Sequence, residues 1–332
     1  MCTAMMTVLA AALLAMQAEQ DFVRAIHANP RDPKAHGEYA IFLQQHGRTA
    51  EAIAHFQSAL DLDPKSPLAS FNLALALLGA ERAADALAVL DRHPTRNGDW
   101  HALRGAVLNT LGRQPEAIAD LKRAVAIDPS NPDTLYDLVI TLLRTEANAE
   151  AAKYVDQGRV RFAKVGKIHA AAGALAYATG KNEQAARSYE TAVKLEPGAA
   201  DFHASLGDVY DATGDLARAE EAYRRSLALD GAVAAVHVKL GKNQLKRQQA
   251  ADAEAAFRNA LGFDPSDAEA HFQMGKIEAA RGDHGAAIGH WEKAVATNPA
   301  LKEAWYQLSL SYRRSGQPDK AAQAAEQFRK LP

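Results

Sequence analysis

Alanine recurs along this chain at a nearly fixed interval, at Ala18, Ala52, Ala86, Ala117, Ala151, Ala185, Ala219, Ala253, Ala287 and Ala321. Every step is 34 residues except Ala86 to Ala117, which is 31. A period of this length admits few folds, because a short unit repeated in series must bury each copy against the next. Four residues after each alanine stands a bulky side chain, at Phe22, Phe56, Leu90, Leu121, Val155, Tyr189, Tyr223, Phe257 and Trp291, and only Ala325 breaks the series. Five residues before many of them is glycine, at Gly47, Gly112, Gly180, Gly214, Gly282 and Gly316. Proline follows twelve residues after most, at Pro30, Pro64, Pro129, Pro197, Pro265 and Pro299.

Glycine supplies the positive φ that ends one helix and turns into the next, and the stretches between follow the helical apolar period. Each unit is therefore predicted to be a helical hairpin. Alanine is required where the two helices cross most closely, since a larger side chain would push the axes apart. The bulky residue one turn later is expected to fill the gap toward the neighbouring hairpin. Proline lacks the donor that would continue the second helix, so it closes the unit.

Residues 203–230 concentrate the pattern in Leu206, Gly207, Tyr210, Gly214, Ala219 and Tyr223, while Leu240 with Gly241, Met274 with Gly275 and Leu308 with Ser309 repeat its first-helix pair. In these residues the sequence resembles the tetratricopeptide repeat family, whose 34-residue pattern places Leu-Gly and Tyr in a first helix and Ala-x3-Phe in a second. The resemblance implies an all-α fold, an α-solenoid in which hairpins stack into a right-handed superhelix. Nine repeats are expected over residues 33–332, preceded by a lone capping helix at 18–32. Two units depart from the pattern. The repeat at 67–97 is three residues short and meets Pro94 in its second helix, which should distort stacking between Asp91 and Asp99. The repeat at 132–165 lacks both the turn glycine and the closing proline, and carries Gly158 inside its second helix at a cost of about 1 kcal/mol against alanine. That unit should open first.

Composition narrows what such an array does. Apolar residues make up 48% of the chain and charged residues 23%, enough to bury and too little net charge for a disordered chain. Thirty-eight Lys and Arg against forty Asp and Glu leave a net charge of −2, so no global attraction to phosphate backbones exists and nucleic acid is not an expected partner. The single cysteine, Cys2, excludes an intrachain disulfide and a multi-cysteine metal site. Before Glu19 no charged side chain occurs, and Met5 to Met16 is an apolar run of signal-peptide length. Residues 1–17 thus read either as a signal peptide or as an apolar helix that caps the array. Cleavage after Ala18 would make the protein extracytoplasmic, the reading the run favours, although no Lys or Arg leads it and Met16 stands where a small residue is preferred. Only if retained as an anchor would the run imply a membrane.

Catalytic signatures are missing. No GxxxxGK[ST], HExxH, GxSxG or GxGxxG before a strand occurs. Of twelve histidines, His169, His203, His237 and His271 are spaced by 34, His36 shares their repeat position, and His101 joins them once the deletion is allowed. Neighbouring members should lie about 10 Å apart, near the interhelical distance, whereas ligands of one metal meet about 2 Å from it. No metal, cofactor or catalytic residue is therefore assigned, and the chain reads as a non-enzyme.

The remaining working surface is the groove lined by the first helices. In the family register its inward residues are the second, fifth, sixth, ninth, twelfth and thirteenth of each repeat. The N-terminal part reads apolar, with Leu68, Phe71, Leu75, Leu78, Tyr136, Ile140 and Leu143 beside Asn72. The sixth repeat reads acidic, with Asp201, Asp208 and Asp211. The seventh to ninth read basic and aromatic, with Lys239, Lys242, Lys246, Phe272, Lys276, Tyr306 and Arg313. Exposed ion pairs contribute about 0.2–1 kcal/mol each, while micromolar binding requires about −8 kcal/mol, so a partner also needs apolar anchors. An extended acidic-aromatic segment is the expected occupant near Lys239, Lys242, Lys276, Phe272 and Tyr306. Family members that hold chaperone tails use Lys and Asn on successive repeats; the ninth positions here include Asp208, Lys242 and Lys276 but no Asn, which disfavours that ligand. These readings converge on a protein-binding scaffold or assembly factor. The alternatives are an array presenting substrates to a separate enzyme such as a glycosyltransferase, and RNA binding, against which the apolar and acidic repeats argue.

Overall fold

The computed structural model describes residues 2–95 and 97–332, with side chains from residue 13 onward; the Cys2 thiol and residues 5–12 of the apolar run lie outside the described side chains. Among the described residues all regular structure is α-helical, and the fold is an α-solenoid of stacked hairpins. The chain divides into two units, residues 1–158 and 159–332. In the first, α1 (Cys2–Ala28) precedes the pairs α2 (Pro33–Gln45) and α3 (Thr49–Leu62), α4 (Pro67–Gly79) and α5 (Ala83–Arg92), α6 (Gly98–Thr110) and α7 (Gln114–Ile127), and α8 (Pro132–Arg144) and α9 (Asn148–Arg161). The boundary falls inside α9. The second unit continues with α10 (Gly166–Ala178) and α11 (Asn182–Leu195), α12 (Ala200–Ala212) and α13 (Leu216–Leu229), α14 (Ala234–Lys246) and α15 (Ala250–Phe263), α16 (Ala268–Ala280) and α17 (His284–Thr297), and α18 (Lys302–Arg314) and α19 (Pro318–Lys330). From α1 to α8 and from α10 to α19, each helix packs on the next in sequence.

The repeated alanines sit where expected. Ala52, Ala86, Ala117, Ala151, Ala185, Ala219, Ala253 and Ala287 are wholly buried, each on the second helix of its hairpin. The bulky residue four positions later reaches the neighbouring hairpin, as Phe56 does beside Leu68 and Ala69, and makes a further contact that the sequence reading did not name. It also lies against the first helix of its own hairpin where the eighth repeat position is glycine, at Gly105, Gly173, Gly207, Gly241 and Gly275. A Cβ on Gly207 would stand 2.6 Å from the Tyr223 ring, and one on Gly241 would stand 2.7 Å from the Phe257 ring. The ring needs a flat backbone surface to lie on, and glycine provides it; Leu-Gly and Ala-x3-Tyr are thus two halves of one contact.

Each hairpin turn follows one scheme. At the first, Gly47 has φ +73° and the Arg48 N–H reaches back to the Leu43 carbonyl at 2.9 Å, a Schellman closure that satisfies the end of α2. Where the sequence lacks the glycine, the geometry persists: Glu81, Glu146 and Gln248 take φ of 61°, 58° and 63°. Repetition of the packing imposes the turn even where a side chain opposes it.

Three departures are resolved. Helix α5 has ten residues where the other second helices from α3 to α17 have fourteen, and ends at Arg92 before Pro94. Gly158 is accommodated within α9 as a buried residue. The first helix is continuous from Cys2 to Ala28, so the division drawn at residues 17 and 18 is not a break in the helix. Its second half packs as the second helices do: Phe22, Val23 and Ile26 lie on the core, and the Tyr39 hydroxyl donates to Glu19 at 2.9 Å. Leu13, Leu14 and Met16 are exposed. Among the described residues no helix is long and apolar enough to cross a membrane.

Candidate functional site

The first helices place the groove residues in two differently built faces, one in each unit. In the first unit the ninth position of α2 and the second and ninth positions of α4 carry apolar side chains that the core does not absorb. Leu68 is 67% exposed, Leu75 43% and Ile41 41%. Ile41, Leu68 and Asn72, with Pro33 and Gly37, line a trough of about 410 Å³, and Leu68, Phe71 and Asn72 continue into a second of about 320 Å³ beside Asn97 and Asp99. Phe71 and Leu78 are half-buried against the core cluster, and Tyr136, Ile140 and Leu143 on α8 are half-buried.

In the second unit most of the charged positions face each other. Lys239 lies 2.7 Å from Asp208, which also accepts from the Tyr223 hydroxyl at 2.9 Å. Lys246 pairs with Asp211, which accepts from the Asn243 amide at 3.1 Å, and Lys242 pairs with Glu269 at 3.0 Å. Burial first, and then the Asp208 charge, push the Tyr223 hydroxyl well above its ordinary pKa, so it remains a donor. The acidic sixth repeat and the basic seventh are thus partners across a helix stack. Partial exposure keeps each pair weak, but together they neutralise the face. Phe272 is buried beneath Lys276, whose ammonium stands 5.5 Å from the ring centroid. Left open are Asp201, Tyr306, whose ring lies 5.4 Å from Phe328, and Arg313; among the described residues neither Lys276 nor Arg313 has an acidic partner. Sequence reading took each repeat's face separately. The signal it passed over is opposite charge offset by close to one period, as in Asp208 with Lys239 and Asp211 with Lys246.

The repeated histidines have a structural task. Ring Nε2 of His36, His169, His203, His237 and His271 lies 2.9 to 3.2 Å from the backbone carbonyl six residues earlier, and the Trp305 indole N–H makes the same bond to Pro299 at 2.9 Å. Each ring ties its helix to the end of the one before. With Nε2–H so used, Nδ1 of His36 and of His271 faces Nδ1 of a second histidine, His55 at 3.0 Å and His290 at 2.9 Å. Burial holds the His55, His271 and His290 rings below the usual imidazole pKa.

Family models described as tetratricopeptide repeat match residues 43–107, and 8–67 with 170–234; one described as TPR repeat matches 105–144. The chain belongs to the tetratricopeptide repeat family. Residues 203–332 also match the middle TPR-like domain of cilia and flagella-associated protein 70. Among curated proteins, this tetratricopeptide array is 32% identical over 117 residues to tetratricopeptide repeat protein 6 of Homo sapiens and 34% identical over 88 residues to the Hsp70-Hsp90 organizing protein of Triticum aestivum. Those matches take in 34% and 26% of this chain but only 22% and 15% of the two relatives, so the chain spans about a fifth of their length. Among solved structures, the APC/C hetero-tetramer Cut9-Hcn1 aligns with TM-score 0.52 at 14% identity, covering 96% of this chain and 84% of that one. A monomeric mutant of IFIT1 with Gppp-AAAA aligns with TM-score 0.63 at 16% identity, covering 90% and 81%. At such identities the likeness concerns the fold.

Proposed function

We propose that this chain is a non-enzymatic scaffold that holds a partner polypeptide along the groove positions of its first helices. One observation carries the reading: Ile41, Leu68 and Leu75 stand exposed on the first helices α2 and α4, and Ile41 and Leu68 line a trough that continues through Leu68 into a second. Fully burying an exposed side chain contributes about 1.5–3 kcal/mol; with 41–67% of each still exposed, the three anchors supply about 2–5 kcal/mol of the −8 kcal/mol or so of a micromolar complex, and further contacts must supply the rest. The second unit adds polarity. Lys239, Lys242 and Lys246 are held by the array's own carboxylates, which leaves Lys276, Tyr306 and Arg313 to meet an acidic-aromatic stretch of the same partner. An enzyme whose substrate the groove presents, a glycosyltransferase for example, would engage the same face.

The wheat relative's name refers to Hsp70 and Hsp90. The ninth positions here carry no Asn, and Lys242 is engaged by Glu269, which argues for a different class of tail. The test is photocrosslinking from residue 68, mapping of the captured segment, and measurement of that segment's affinity as a synthetic peptide. Leu68→Glu should weaken it at least tenfold with unchanged helicity; an unchanged affinity excludes the groove.

A further inference from the structure

Five second helices close in the same way, with the C-cap side chain folded over the peptide group that follows it. The carboxylates of Asp63, Asp128, Asp230 and Asp264 and the amide oxygen of Asn298 accept from the backbone N–H two residues on, at 2.9–3.2 Å. Four of these residues are followed by proline, at Pro64, Pro129, Pro265 and Pro299, whereas Asp230 is followed by Gly231. The fold brings the side-chain Cγ beside the nitrogen of the next residue. In proline that nitrogen carries no hydrogen and cannot serve as a nucleophile. In Gly231 it carries one.

The peptide group between Asp230 and Gly231 is also unrestrained. At Asp63, Asp264 and Asn298 the main-chain carbonyl accepts from the N–H three residues on, at 3.1–3.2 Å, but at Asp230 the corresponding hydrogen bond is not made. Among the described residues the Gly231 N–H has no hydrogen-bond partner either. Both residues are exposed. Glycine adds no Cβ to hinder rotation about the Asp230 ψ angle, which stands at 98° and must turn for Cγ to meet the nitrogen. The chain's other such pair is Asn97–Gly98, where the side chain instead caps α6 by accepting from the Trp100 N–H at 2.8 Å.

We propose that Asp230 is a site of spontaneous isoaspartate formation in the folded chain. The Gly231 nitrogen attacks Cγ of the Asp230 carboxyl in its acid form, an intramolecular step favoured by the adjacency of the two atoms. The N–Cγ bond forms, a Cγ–O bond breaks, and the amide proton leaves with the hydroxyl as water, which gives a five-membered succinimide. Water then adds back to one of the two ring carbonyls. Breaking the new N–Cγ bond restores aspartate. Breaking the original peptide bond routes the backbone through Cγ and leaves the former main-chain carbonyl as the free carboxylate. No atom is gained or lost overall, and no other reactant is required. The product has one more atom in the main chain between α13 and α14. At that junction the His237 ring donates to the Gly231 carbonyl at 2.9 Å and stacks on Phe263 with centroids 5.6 Å apart, so the lengthened backbone draws the carbonyl away from the ring. Asp230 lies outside the first helices, and the inference is independent of the groove reading.

The test incubates the full chain at physiological temperature and follows the tryptic peptide of residues 226–239 by chromatography and electron-transfer fragmentation, with isoaspartyl methyltransferase and S-adenosylmethionine as a second readout. A synthetic peptide of the same residues shows when the unrestrained reaction has occurred. The expected result is a growing isoaspartyl form at residue 230, of unchanged mass, with none at Asp63, Asp128 or Asp264. Gly231→Pro, which gives this closure the residue found at the others, should abolish it with unchanged helicity. Absence of isoaspartate at residue 230 in the folded chain when the synthetic peptide has reacted, or equal formation in Gly231→Pro, would overturn the proposal. In the separated isoaspartyl form the amides of α14 should exchange hydrogen faster than in the unmodified chain; equal exchange would overturn the effect on the α13–α14 junction.

Discussion

Glu81, Glu146 and Gln248 occupy turn positions that six other hairpins give to glycine, and each is held at positive φ. The left-handed conformation costs a residue with a Cβ about 1–2 kcal/mol, part of which glycine returns through greater unfolded-state entropy. Glu146→Gly should therefore stabilise the chain by about 0.5–1 kcal/mol, read as a higher urea midpoint. The opposite is expected of Gly241→Ala, whose Cβ would stand 2.7 Å from the Phe257 ring; overpacking of this kind costs about 1–3 kcal/mol. The buried histidines make stability depend on pH. With folded pKa values of His55, His271 and His290 lowered from 6.5, the unfolded chain binds more protons as pH falls. Their contribution is complete above about pH 6.5 and is lost below it. Urea midpoints should fall between pH 7.5 and 5.5, and His290→Gln should flatten that fall. At this scale glycine and alanine spacing was legible because each marks a steric requirement. The second partner of the bulky ring, the glycine of its own hairpin, was not, since one period of sequence does not say that a side chain meets both adjacent helices.

Among the second helices from α3 to α17, α9 buries the fewest residues and α5 is the shortest. Helix α9 buries only Ala151, Val155 and Gly158, and the boundary between the two units falls at Gly158. Helix α5 is four residues shorter than α3 or α7 but buries Ala83, Ala86, Leu87 and Leu90. Isolated helices of this length are marginal in water, so protection must come from buried apolar contacts. Native-state hydrogen exchange should therefore find the amides of α9 opening before those of α5, and equal protection in both would contradict this. Element order and the shortened α5 could be read from the sequence, since Pro94 forbids continuation. The unbroken α1 could not, because no breaker separates the apolar run from the capping segment.

From α1 to α8 and from α10 to α19, helix packing runs from neighbour to neighbour, so stability accumulates along each unit and unfolding need not be one cooperative event. The functional surface was legible in part. Apolar groove residues on α4 were visible because no helix-crossing position requires Leu68 or Leu75, whereas Ile41 on α2 was not singled out. The charged face of α12 and α14 misled, because carboxylates and lysines one period apart in sequence satisfy each other in space. The central claim is that the apolar troughs of the first unit hold the partner. It is tested most directly by placing a photoreactive benzophenone side chain at residue 68, at residue 75, and at the exposed second-helix residue 183, and comparing partner adducts. Adducts from 68 and 75 with none from 183 are the required result; adducts from 183 in equal or greater yield would contradict it.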